Sequence, residues 1–99
     1  MALNKIIQHQ TGAYSSYWRI ISCNLNYLNK TSEIVIYGYY NQTTREENKL
    51  NLDYRVITCS NLDFEQYFSI SELENSSNPI KQSYLYIKTI DEFVGSTDI

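Results

Sequence analysis

One stretch constrains the fold more than any other: Ala13-Tyr-Ser-Ser-Tyr-Trp-Arg-Ile-Ile-Ser-Cys-Asn-Leu-Asn-Tyr27. At a period of two, one face carries Tyr17, Arg19, Ile21, Cys23, Leu25 and Tyr27, and the other Trp18, Ile20, Ser22, Asn24 and Asn26. The first half is apolar on both faces and the second half has one wet face, the pattern of a long strand with neighbours on either side. It predicts a central strand, over about 14–28, on which later segments pair. The polar turn Asn29-Lys-Thr-Ser32 and the run Glu33-Ile-Val-Ile-Tyr-Gly-Tyr-Tyr40 complete an antiparallel hairpin. Gly38, in mid-strand, signals a bulge or a bulky neighbour packed over it.

The other segments arrange themselves around that hairpin. Ala2 to Gln10 alternates weakly and predicts a short edge strand, closed by the turn signal Thr11-Gly12. Asn41 to Lys49 is polar throughout and is expected as an exposed loop. From Leu50 to Cys59 the alternation is clean. Leu50, Leu52, Tyr54, Val56 and Thr58 point one way, and Asn51, Asp53, Arg55, Ile57 and Cys59 the other. At Ser60 the period changes. Asn61 to Phe68 reads either as helical turns, with Asn61 or Asp63 as N-cap and Phe64 and Phe68 on one face, or as an extended connection. Ser69 to Glu74 is ambiguous between strand and helical turn.

The chain ends with a helix expected over about 79–94. Asn78 is its N-cap and Pro79 its first residue, where a missing N–H costs nothing. Ile80, Tyr84, Ile87, Ile90 and Val94 recur at helical spacing, widened by Leu85 and Phe93, and Gly95 ends the helix. The expectation is an α+β fold: one domain, 1–99, with a β-rich antiparallel sheet of three long strands and a short N-terminal strand. The C-terminal helix packs on that sheet.

Charge and chemistry narrow the function classes. Eight basic against eleven acidic residues give a net charge of −3. No basic run is present to neutralise phosphates, which argues against nucleic-acid binding. No segment reaches the ~18 apolar residues of a membrane span, and nothing near Met1 reads as a signal peptide, so synthesis in a reducing cytoplasm is expected. Cys23 and Cys59 are expected as small buried hydrophobes, with a cross-strand disulfide or a redox site as the alternatives. His9 is the one histidine, too few for a metal set or a nucleophile–base pair. The paired carboxylates Glu46/Glu47, Glu72/Glu74 and Asp91/Glu92 lie in polar settings that do not raise a pKa for acid–base work. Three glycines, at 12, 38 and 95, make no phosphate loop. The expectation is a protein that is not an enzyme and takes no cofactor and no metal.

Ten tyrosines in ninety-nine residues exceed what one small core can bury beside Trp18 and three phenylalanines. Tyrosine suits strands, and it suits interfaces because a large rigid ring can work half-wet. Tyr17, Trp18, Arg19, Tyr37, Tyr39 and Tyr40 are the candidate interface, for packing in a homo-oligomer or as an aromatic patch for carbohydrate.

Three passages carry a resemblance. They are Tyr17-Trp-Arg-Ile20; Val35-Ile-Tyr-Gly-Tyr-Tyr40 followed by Arg45; and the ending from Pro79. That ending holds Tyr84-Leu-Tyr-Ile-Lys-Thr89, an acidic residue before Phe93, and small residues closing on Asp98-Ile99. In this order they resemble a family of small tailed-bacteriophage proteins encoded near tail, baseplate or tail-fibre genes. The resemblance implies a virion structural or accessory protein, made in the bacterial host cytoplasm and located in the phage tail. It would contact itself and other tail proteins in a symmetric multimer. It implies no catalytic residues. The alternatives are a small phage-encoded inhibitor or ligand-sequestering protein acting in the host cytoplasm, and a carbohydrate-binding tail module.

Overall fold

The computed structural model describes residues 2–8, 12–41, 43, 46–47, 51, 53–74 and 78–99. Among them, five strands form one antiparallel sheet: β1 (Leu3–Gln8), β2 (Tyr14–Asn26), β3 (Thr31–Tyr39), β4 (Asp53–Ser60) and β5 (Thr97–Asp98). Their spatial order is β4-β3-β2-β1-β5, so β2 is the central strand that its pattern predicts. Helices α1 (Asn61–Phe68), α2 (Ile70–Glu74) and α3 (Pro79–Ile87) follow β4, and a 3-10 turn at Asp91–Phe93 leads into β5. The architecture is α+β and β-rich, with a C-terminal helix on the sheet.

The register corrects the alternation expected for β2. Ile20 pairs with Ile36, but the next pair is Ser22 with Val35. Ile21 is therefore the extra residue of a β-bulge. A bulge reverses the faces beyond it. Trp18 and Ile20 thus share the core side with Cys23 and Leu25, not with Ser22 and Asn24. A second irregularity in β1, between Asn4 and Ile7, bends that strand. β5 was not foreseen. It pairs with β1 at Leu3–Asp98 and Asn4–Thr97 and is too short to leave a period in the sequence.

The helical segments differ from expectation at their ends. Helix α1 settles Asn61–Phe68 as helical; its N-cap is Ser60 rather than Asn61 or Asp63, and Asn61 takes φ +56° as the chain leaves β4. Its last carbonyls are met from elsewhere: Gln82 Nε2 donates to Tyr67 O at 2.8 Å and Tyr27 Oη to Phe68 O at 2.9 Å. Helix α3 starts as predicted, with Lys81 N–H donating to the Asn78 side chain at 2.8 Å and Pro79 at its first position. It stops at Ile87 rather than near 94. Thr89 turns both its N–H (2.9 Å) and its hydroxyl (2.7 Å) to the carbonyl of Tyr86, and Ile90 N–H bonds Ile87 O. These tighter i→i+3 bonds end the α-helix and start the 3-10 segment. The buried side of α3 is Gln82, Ser83, Tyr84, Tyr86 and Ile87, whereas Ile80, Leu85 and Val94 are exposed.

The core lies between the sheet and these helices. Leu3, Trp18, Ile20, Ile34, Ile36 and Cys59 meet Phe64, Phe68, Tyr84, Tyr86, Ile87 and Phe93. Trp18 is fully buried and organises one end. Its ring lies over Gly38, where a Cβ would meet it at 2.7 Å; this is the bulky neighbour the mid-strand glycine foretells. Phe93 meets it edge-on at 5.1 Å, its indole N–H donates to Lys5 O at 2.9 Å, and the Arg55 guanidinium lies 5.6 Å from the ring. At the middle of the sheet, β1 ends opposite Trp18, and the Ile20 N–H two residues on donates to Tyr84 Oη at 2.9 Å. A helix hydroxyl thus satisfies a backbone donor that the ladder leaves over.

Within the polar segment after β3, Thr43 and Glu46 are helical and Glu47 N–H bonds Thr43 O at 3.0 Å. These described positions are helical or turn where a plain loop is expected. Gln42, Thr44, Arg45, Asn48 and Lys49 lie outside the described residues, as do His9, Leu50 and Leu52.

Candidate functional site

The helices cover one side of the sheet, and the side chains of β2, β3 and β4 that point the other way form an open face. Alternation defines it on β3. Ser32, Ile34, Ile36 and Gly38 are buried, while Glu33, Val35, Tyr37 and Tyr39 face out. Register then fixes the neighbours. Tyr37 pairs with Arg19 on β2 and Tyr54 on β4; Val35 pairs with Ser22 and Val56; Tyr39 pairs with Tyr17. The rings of Tyr17 and Tyr39 meet edge-on, centroids 6.2 Å apart. Ile21, pushed out by the bulge, adds to the patch.

Strand β4 adds Tyr54 and Val56 to this open face. Arg55, Ile57 and Cys59 are opposite Ile36, Ile34 and Ser32 and so share the core side, and Tyr54 and Val56 point away from it, 60% and 53% exposed. Arg55 is tolerated on the core side because it is paired. Its Nη1 lies 2.7 Å from Asp53 and its Nε 2.6 Å from Glu92. Asp53 beside it, with Glu92, holds the guanidinium pKa above its ordinary value. This pair ties the 3-10 turn to β4.

Of the six predicted interface residues, Tyr17, Arg19, Tyr37 and Tyr39 come together on the open face. Trp18 does not: it is fully buried on the opposite side and is removed from the set, because neighbouring residues of a strand point to opposite faces. Tyr40 follows β3 and makes a separate pair with Tyr14, ring centroids 5.3 Å and hydroxyls 3.4 Å apart. That hydrogen bond raises the Tyr14 pKa. Ile21, Val35, Tyr54 and Val56 join the open face, outside the expected set. The alternation of Leu50 to Cys59 already grouped Tyr54 with Val56; what it lacked was the sign of the face.

The chemistry elsewhere is sparse. Cys23 and Cys59 are free thiols, the second fully buried. Burial pushes the Cys59 pKa up to about 12. Ser83 Oγ donates to Pro79 O and lies 3.2 Å from Cys23 Sγ, which is 3.4 Å from Ser32 Oγ. Among the described residues, no group of three or more His, Cys, Asp or Glu is arranged to hold a metal ion, and no helix is long and apolar enough to cross a membrane. Comparisons with protein-family models, with curated proteins and with solved structures find no match to this chain.

Proposed function

We propose that the protein is a non-enzymatic assembly module, a structural or accessory component of a phage tail or baseplate, which acts through protein–protein contacts made by the open face of its sheet. The observation that carries the assembly reading is that face: Tyr17, Arg19, Tyr37, Tyr39 and Tyr54 around Val35 and Val56, turned away from the core. Tyrosine and arginine are the residues that interfaces concentrate, since each offers a broad apolar surface and a polar end that tolerates partial wetting. A contiguous apolar patch of this kind is seldom left on a monomer without use. The placement in a tail or baseplate rests on the resemblance of the Tyr-Trp-Arg-Ile, Tyr-Gly-Tyr-Tyr and C-terminal motifs.

Mass spectrometry of purified virions tests the placement. The chain is expected there at a copy number matching a ring or tail symmetry. Its absence favours an inhibitor acting in the host cytoplasm through the same face. Replacing Tyr54 by Asp separates face from fold, because an exposed edge-strand residue changes the surface and leaves the core intact. The variant should fold and fail to enter particles.

A further inference from the structure

We propose that the partner seated on the open face is a second copy of this chain, in a twofold sheet-on-sheet contact that sets Arg19 of each copy against Glu33 of the other. The proposal rests on reading that face as an assembly surface.

Charge complementarity carries it. On the outward side of β2, β3 and β4 the described residues include one cation, Arg19, and one anion, Glu33. Neither has an ion-pair partner among the described residues. The two charges sit at opposite ends of the face. Arg19 pairs with Tyr37, and Glu33 lies four residues along β3 from Tyr37, about 13 Å away at strand rise. The midpoint on β3 is Val35, flanked by Val56.

That layout is self-complementary about one axis. A twofold lying between the sheets, across the strands and over Val35, stacks the two valine rows on each other. It lays the tyrosine end of one copy over the end of the other that carries Asn24, Thr31, Glu33 and Thr58. Phenol hydroxyls then meet amide, hydroxyl and carboxylate groups rather than bare apolar surface. Facing sheets pack ~10 Å apart and cross at about 30°. That crossing carries Arg19, one strand over, toward Glu33 of the other copy, within reach of an extended arginine. An axis along β3 instead would set Glu33 against Glu33. A twofold contact makes the same pair twice, so each charge counts double.

Sedimentation velocity over a concentration series tests this, with circular dichroism melting to show that each variant folds. The wild type is expected to dimerise reversibly. R19E and E33R each set like charges together at two places and should raise the dimer Kd about tenfold or more. The double variant R19E/E33R restores both pairs in reversed sense and should return Kd to within about threefold of wild type. Singles that dimerise like the wild type overturn the proposal; edge-to-edge pairing through β4 would behave so, because Arg19 is on the central strand. A double variant no better than the singles overturns it too. So does a wild type that stays monomeric across the series. In that last case, if the Tyr54→Asp chain is still lost from particles, the assembly reading stands and the face belongs to a different protein.

Discussion

The two sides of the sheet use the same three long strands and much the same apolar vocabulary, yet they end in opposite states. On the helix side, small residues make room for large ones: Gly38 lies under Trp18, and Ser32 pairs with Cys59. Polar groups that enter the core there find partners, Arg55 in Asp53 and Glu92, and the Ile20 N–H in Tyr84. On the open side, large residues stand beside large ones, Tyr37 between Arg19 and Tyr54 and Tyr17 beside Tyr39. The difference teaches that apolar content does not decide which side of a strand becomes core. Shape complementarity and polar satisfaction do. A side that is apolar but not interlocked within the monomer is the surface on which the proposed assembly rests.

This contrast orders the expected effects. The largest belongs to Trp18. Replacing it by Ala removes the ring that Gly38, Phe93 and Arg55 enclose and should cost ~3–5 kcal/mol in urea unfolding, with Ile87→Ala close behind at ~2–5. A Trp18→Ala protein as stable as the wild type would break the comparison outright. Gly38→Ala comes next. Its new Cβ would fall 2.7 Å from the Trp18 ring, and overpacking of that kind should cost ~1–3 kcal/mol by the same measurement.

A pH series probes the core side by a different route. Burial raises the Cys59 pKa from 9.0 to about 12, and burial raises that of Tyr86 as well. Both groups hold their protons more tightly in the folded chain. As pH rises past 9 the unfolded chain loses protons first, so stability is full below pH 9 and falls progressively toward pH 12. The melting temperature should decline over that window, and Cys59→Ala should flatten the decline. A wild-type profile level to pH 11 would contradict the burial of both groups. The smallest effect is expected on the open side. Tyr54→Ser and Val56→Ser should each leave the monomer within ~0.5 kcal/mol of wild type, although they remove large apolar side chains. A loss comparable to that of Ile87→Ala would show that this side is already covered within the monomer.

Much of the fold was legible because it is written in local chemistry. The alternation of β2, β3 and β4, the Asn78-Pro79 helix start and the meaning of Gly38 all follow from a few neighbouring residues. What escaped depends on pairing. No residue near Ile21 announces a bulge, yet the bulge moves Cys23 and Leu25 to the core side. Thr89 ends α3 by taking the Tyr86 carbonyl, a competition that a stripe of apolar residues running on to Val94 conceals. Strand β5 exists because β1 offers it an edge. The candidate site was half legible for the same reason. Tyr17, Arg19, Tyr37 and Tyr39 share one side of the paired strands, as alternation allows, whereas Trp18, between two of them, points the other way. Tyr54 and Val56 escape the sequence pattern, since only the register with β3 tells which side of β4 they face.

The central claim is that assembly uses the open side of the sheet and leaves the helical side wet. Hydroxyl-radical footprinting of the chain, dilute and in its assembled state, tests it side chain by side chain. Tyr37, Tyr54 and Val56 should become protected on assembly, while the exposed Leu62, Ile70 and Ile80 on the helices keep their reactivity. Protection of Leu62, Ile70 and Ile80 with Tyr54 and Val56 unchanged would contradict the account and move the partner to the other side of the molecule.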